Sequence, residues 1–230
     1  MKKLILFYFL AFPFLIFAQS RSSIDFMFSP DLTYRNYNAF NQPYTQQLFD
    51  SIDKPNIGFH TGINYNRKVS RKIYLSGGVH LSKMGYSSKM DNLVFPSDLD
   101  SITGLPISTH TVKLSYDFYL ISFPLELRYD FNDRNFSPYL KIGISPTLNM
   151  YSYIKSQIDI EDERTQKNNY QLNHLTALLQ IGFGANFKLN DKWQIFAQPT
   201  FRYQLTKIRK EYDSNHLYSI GIELGARMSL

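Results

Sequence analysis

Apolar and polar residues alternate singly through most of this chain, and that pattern limits what it can fold into. In the last segment Tyr218, Ile220, Ile222, Leu224, Ala226, Met228 and Leu230 share one parity, while Ser219, Gly221, Glu223, Gly225, Arg227 and Ser229 share the other. Successive side chains of an extended strand point to opposite faces, so this run is a strand with one apolar and one polar face. It exceeds the ~5–6 residues usual in soluble strands. It suffices for the ~9–11 tilted residues that cross a bilayer. The preceding segment repeats the pattern: Trp193, Ile195, Ala197, Pro199, Phe201, Tyr203 and Leu205 oppose Gln194, Gln198, Thr200, Arg202, Gln204 and Thr206.

Six further segments alternate in the same way, over residues 24–35, 57–65, 73–81, 119–130, 140–149 and 175–189. The fourth is irregular. Val112, Leu114, Tyr116 and Phe118 are apolar on even positions, whereas from Tyr119 onward the odd positions are apolar. Two explanations stand open: an inserted β-bulge, or a stretch at 111–118 that projects above the membrane. The chain is 16% aromatic yet has a mean hydropathy of −0.29, as such fine alternation requires.

At the start, Lys2 and Lys3 precede an apolar run from Leu4 to Phe17, with Ala18 before Gln19. This is the layout of a secretory leader over residues 1–18, with the barrel domain over 19–230. The run is too short to span ~30 Å of hydrocarbon as a helix, and Pro13 interrupts it. Beyond Gln19 no stretch approaches the ~20 apolar residues a membrane helix needs. Cysteine is absent, which excludes disulfides, thiolate metal sites and a lipidated Cys. Without the two leader lysines the formal charge of +6 falls to +4, with no block of like charge, so nucleic acid is not an expected partner.

The connections alternate in length. Short ones lie at 68–71, 132–135 and 190–191, and longer polar ones near 38–55, 87–110, 156–173 and 209–215. Outer-membrane barrels sort their connections this way, short turns in the periplasm and long loops outside, so both termini are expected in the periplasm. Aromatics gather at strand ends (Tyr34, Tyr65, Tyr129, Phe131, Phe136, Tyr139, Phe187, Trp193, Tyr203 and Tyr218), as interfacial girdles do. Strands in lipid must satisfy every backbone group, so the sheet has to close. The expected fold is all-β, an eight-stranded antiparallel up-and-down transmembrane β-barrel of the outer-membrane type. Its inward face carries Asp25, Asp31, Arg35, Glu126, Arg128, Lys141, Arg202, Glu223 and Arg227. Opposite charges in so narrow a lumen are expected to pair and fill it rather than line a channel.

The run from Tyr119 through Phe123-Pro124 to Tyr129, the Ser137-Pro138-Tyr139-Leu140 strand ending at Gly143, and the closing Gly221 to Arg227 resemble the PorT-like outer-membrane β-barrel family of Bacteroidota. The resemblance covers nearly the whole exported chain, and its motifs are structural. It implies a place in the envelope, for some members in the type IX secretion and gliding apparatus, and supplies no catalytic residue. One departure is the terminal Leu230, where such barrels commonly end on an aromatic.

Candidate chemistry is sparse. His60, His80, His110, His174 and His216 stand at no metal-ligand spacing, although His60 and His80 face inward on adjacent strands. Ser108 and His110, with His174 and His216, lie at rim depth, where a Ser–His–acid hydrolase would sit. The acidic run from Asp159 to Arg164 lacks the glycine and spacing of a calcium loop and reads as solvated loop. Gly182 and Gly184 lie inside a strand, where small residues admit a neighbour, and form no phosphate loop. The second long loop, with Pro96, Gly104 and Pro106, is long enough to bind something outside the cell.

No catalytic, cofactor-binding or metal-binding residue is assigned, and no cofactor is expected. The expected partners are outer-membrane lipid and lipopolysaccharide, the barrel assembly machinery and other envelope or secretion proteins. The leading reading is a non-enzymatic barrel, structural or part of an envelope complex, acting through its loops or outer wall. The alternatives are a rim-located lipid or peptide hydrolase and a lipocalin-like periplasmic barrel, the last requiring the apolar parity to face inward.

Overall fold

The computed structural model describes residues 22–38, 43–159, 162–169, 171–210 and 214–230. The leader expected over 1–18 lies outside the described residues. The alternating segments become barrel strands: β1 (Ser22–Asn38), β2 (Asn56–Lys68), β3 (Ile73–Leu93), β4 in two pieces (His110–Ser122 and Leu125–Asp130), β5 (Phe136–Ile158), β6 (Leu175–Lys188), β7 (Trp193–Gln204) and β8 (Ser214–Ser229). Each pairs antiparallel with its sequence neighbours, and β1 closes the ring on β8, with Ile24 opposite Met228 and Tyr34 opposite Tyr218. Closure leaves no sheet edge. The two pieces of β4 part at Pro124, which has no N–H, while Phe123 N still donates to Pro146 O at 2.9 Å.

The apolar parity lies outside. Phe26, Ile63, Val79, Leu125, Ile142, Phe183, Ile195 and Ile222 form an exposed band around the ring. Water would penalise a continuous band of this kind, and lipid does not. The lipocalin-like reading, which needs those side chains inside, therefore fails. Among the described residues no helix is long and apolar enough to cross a membrane.

The irregularity in β4 is not a bulge inserted in that strand. Its even positions face inward throughout, from Val112, Phe118 and Leu120 to Ser122, Glu126 and Arg128. What changes at Tyr119 is the content of the lumen, apolar on the long-loop side and polar on the short-turn side. The bulge falls on the partner strand β5, where Tyr119 pairs with Tyr151 but Leu120 pairs with Asn149. Met150 is the extra residue, and the facing parity of β5 changes across it.

Tyr139 also corrects an expectation. It is buried in the lumen instead of joining the girdle. A Cβ on Gly184 would meet its ring at 2.7 Å, so the glycine clears the space that this tyrosine fills. Tyr34 and Tyr218 do sit on the outer wall, stacked with centroids 5.1 Å apart.

The long loops carry their own structure. A helix, α1 (Pro43–Ile52), lies in the first. The second contains a single 3-10 turn at Pro96–Asp98. In the third, a short strand at Arg164–Lys167 pairs with the end of β5.

Candidate functional site

The lumen is built in two layers. On the turn side and at mid-height it is ionic. Arg227 grips Asp25 at 2.7 and 2.8 Å and reaches Asn186 at 2.9 Å. At the centre Arg202 donates to both oxygens of Asp31 (3.2 and 3.0 Å), to Glu223 (2.8 Å) and to Gln180 (3.1 Å). Glu223 also accepts from Lys141 at 2.8 Å, and Lys141 lies 3.5 Å from Glu126. Thus β1 and the five strands from β4 to β8 are tied through one network. A buried charge is tolerable only when paired and hydrogen-bonded, and the expected pairing of inward charges is what the barrel contains.

Above the ions the lumen is apolar. Met84, Tyr86, Phe118, Leu120, Leu178 and Leu217 meet there, joined from the third and fourth loops by Leu172 and Ile208. Arg35 caps this layer. It pairs with Asp53 at 2.6 Å and lies over the rings of Tyr86 and of Phe49 on α1, at 4.1 and 4.6 Å. Leu172 and Ile208 carried no signal in the sequence, because each is a lone apolar residue in a polar loop.

Two of the five histidines meet and the other three lie apart. His60 Nε2 and His80 Nδ1 meet at 2.9 Å, and His80 Nε2 reaches Asn64 at 2.9 Å. His174 and His216 hydrogen-bond to the carbonyls of Asn149 (3.2 Å) and Gln204 (2.8 Å). Among the described residues no group of three or more His, Cys, Asp or Glu could hold a metal ion.

His110 is the exception, because it draws two loops together. Its Nδ1 bonds Asp159 of the third loop, and its Nε2 faces Asp98 of the second at 3.2 Å. Asp159 also accepts from the Thr111 amide at 2.7 Å. Ser108 Oγ lies 3.5 Å from the same Nε2 that Asp98 faces. These residues have the membership of a Ser–His–acid triad, but Asp98 stands closer than Ser108 to the nitrogen that the serine would use. The Asp159 hydrogen bond, supported by Asp98, raises the His110 pKa above the ordinary imidazole value. The cluster is a clamp.

The clamp has a pH window. The hydrogen bond from His110 lowers the Asp159 pKa, and the Phe95 amide, then His110, lowers that of Asp98. The histidine contribution is complete below the unfolded value of about 6.5 and is lost as pH rises through the raised folded value. The carboxylate contribution is complete above about 3.9 and is lost as pH falls through their lowered values. Hydrogen exchange at the Thr111 and Asp159 amides, corrected for intrinsic rate, is expected to be slowest between roughly pH 4 and 6.5. His110→Gln is expected to abolish the loosening toward alkaline pH. An unchanged profile in that variant would refute the clamp.

The second loop is thereby held as a preformed hairpin. Asp100 Oδ1 accepts from the amides of Ile102 (2.9 Å) and Thr103 (2.6 Å), and Gly104 turns the chain at φ +66. Its tip presents Ile102, Leu105 and Ile107 at 94%, 65% and 71% exposure. The sequence showed the loop's length but not this tip, since alternation has no meaning in a turn.

Residues 17–210 match the model of the outer membrane protein beta-barrel domain. The chain belongs to that family. Its location as a member is the outer membrane, which agrees with the exposed apolar band. Among solved structures this barrel is similar to Neisserial surface protein A (12% identity, covering 89% of this chain and 96% of that one, TM-score 0.47). It is also similar to the attachment invasion locus protein Ail of Yersinia pestis (14%, 90% and 98%, 0.36) and to the outer membrane protease OmpT of Escherichia coli (9%, 93% and 98%, 0.43). Compared with curated proteins, the chain has no match.

Proposed function

We propose that this barrel is a non-enzymatic component of an envelope complex, working through its second loop, with long loops outside the cell and both termini in the periplasm. The observation that carries the reading is the clamped hairpin with Ile102, Leu105 and Ile107 at its tip. An apolar patch held away from the core marks an interaction surface. Holding it rigid lowers the ordering cost of binding. The lumen supports the same reading, since an ionic layer beneath an apolar one leaves the walls and loops as the working surfaces. The position of Asp98, 3.2 Å from the His110 Nε2 that Ser108 approaches only to 3.5 Å, speaks against the rim hydrolase. The resemblance to PorT-like barrels points to type IX secretion or gliding as the setting.

Photo-crosslinking from position 102 in native outer membranes is expected to capture a second envelope protein. Replacing Ile102, Leu105 and Ile107 together by serine should release that partner while leaving barrel folding intact. Crosslinks to lipid alone, or a complex untouched by the triple variant, would overturn the proposal. So would a purified monomer that hydrolyses lipid or peptide with loss of turnover in Ser108→Ala.

A further inference from the structure

A second surface lies on the outer wall beside the long loops. At this rim Tyr119, Tyr151 and Tyr153 cluster on the lipid-facing side of β4 and β5, with ring centroids 4.9 to 6.0 Å apart. Tyrosines at the end of an outward apolar face mark the depth where hydrocarbon meets headgroups. Immediately beside them opens a cleft of about 560 Å³ lined by Lys54, Lys83, Lys89, Lys113 and Lys155. The register fixes the depth, because Lys83 pairs directly with Tyr119 across β3 and β4.

Five ammoniums face two lining carboxylates, Asp117 and Glu163, so positive charge is in excess. The acids serve as anchors. Asp117 accepts from Asn56 at 2.8 Å and holds Lys83 at 3.1 Å, while Glu163 holds Lys155 at 3.1 Å. Lys89 is paired at 3.0 Å with Asp91, which is outside the lining. Lys54 and Lys113 have no carboxylate partner among the described residues. Ammoniums that face outward from a lipid-embedded wall are costly in hydrocarbon but not at headgroup depth, where an anion can neutralise them.

The geometry points to a binding site for a phosphorylated lipid headgroup of the outer leaflet, its phosphate between Lys54, Lys83 and Lys113 and its acyl chains along Tyr119 and the apolar wall. This rests on the reading that the long loops face outside the cell. An interfacial lysine favours an anionic headgroup by about fivefold. Removing two is therefore expected to weaken binding about 25-fold.

The test is a titration of the detergent-purified full chain with lipid A, bisphosphorylated or dephosphorylated, followed by native mass spectrometry. Wild type should bind the bisphosphorylated form preferentially, and K54Q/K113Q should lose about 25-fold for that form alone. K54R/K113R should retain binding, and heat-dependent gel mobility reports that each variant is folded. Equal binding of dephosphorylated lipid, or an unaffected K54Q/K113Q, would overturn the site. Displacement of the lipid by millimolar inorganic phosphate would overturn its assignment to a lipid. Orientation is read separately, by labelling L105C in intact cells with an impermeant maleimide, which is clean because the chain has no other cysteine.

Discussion

Arg202→Ala is expected to lower stability by about 3–5 kcal/mol, since it removes one partner from a buried charge network and leaves carboxylates uncompensated. Arg202 is 1% exposed and bonds Asp31, Glu223 and Gln180. Among the described residues Asp31 then keeps the hydroxyls of Ser29 (2.5 Å) and Ser219 (3.1 Å), and Glu223 keeps Lys141. Asp31 should therefore suffer most. The double variant R202M/D31N is expected to recover most of the loss, because removing both charges also removes the desolvation penalty that the arginine offset. Urea unfolding from lipid vesicles, followed by the fluorescence of the single Trp193, measures both. A loss below about 1 kcal/mol for Arg202→Ala would mean that water reaches Asp31 and that the layer is not sealed.

Phe118→Ala is expected to cost a similar amount, about 3–5 kcal/mol, by opening a cavity that its neighbours fill only in part. Phe118 is 0% exposed and packs in the apolar layer beneath Leu172 and Ile208. The loss should be accompanied by faster hydrogen exchange at the Leu172, Asn173 and Ile208 amides, whose bonds hold the third and fourth loops over the mouth. Phe118→Leu, nearer in volume, is expected to cost less than about 1.5 kcal/mol. Stability lost without any change in loop exchange would show that the layer packs the barrel but does not hold the loops.

These two residues show how unevenly the barrel was legible. Arg202 was readable because it falls on the polar parity of a cleanly alternating strand, and a polar parity opposite a lipid-facing one can only face the lumen. Phe118 was not. Its parity is inward too, but an apolar residue on an inward position looks like a change of phase, so the alternation alone left a bulge and a projecting segment both open. The real bulge, at Met150, was hidden because alternation in β5 ceases where both its faces leave the hydrocarbon. Tyr139 was misplaced for a related reason. Its position at a strand end resembled a girdle, and only the empty space over Gly184 shows where its ring goes.

The candidate sites divide the same way. His60 and His80 were foreseen as facing neighbours because register alone brings them together. The partners of His110 come from separate loops, Asp98 at twelve residues' remove and Asp159 from beyond two barrel strands, and no local pattern encodes such a meeting. The lysine cleft likewise draws on the first loop, β3, β4 and β5, whose cations are spread through the sequence singly.

By itself the sequence determined the closed eight-stranded barrel, its lipid face and the ionic half of its lumen. The reason is that a bilayer leaves a strand few choices: alternate residues must be apolar, every backbone group must be paired, and inward charges must be matched. Only the tertiary structure decided the apolar upper lumen, the His110 clamp, the exposed hairpin tip and the cationic cleft. These arise where strands pass beyond the membrane and loops return across them, so contact depends on distances through space rather than on the period of the chain.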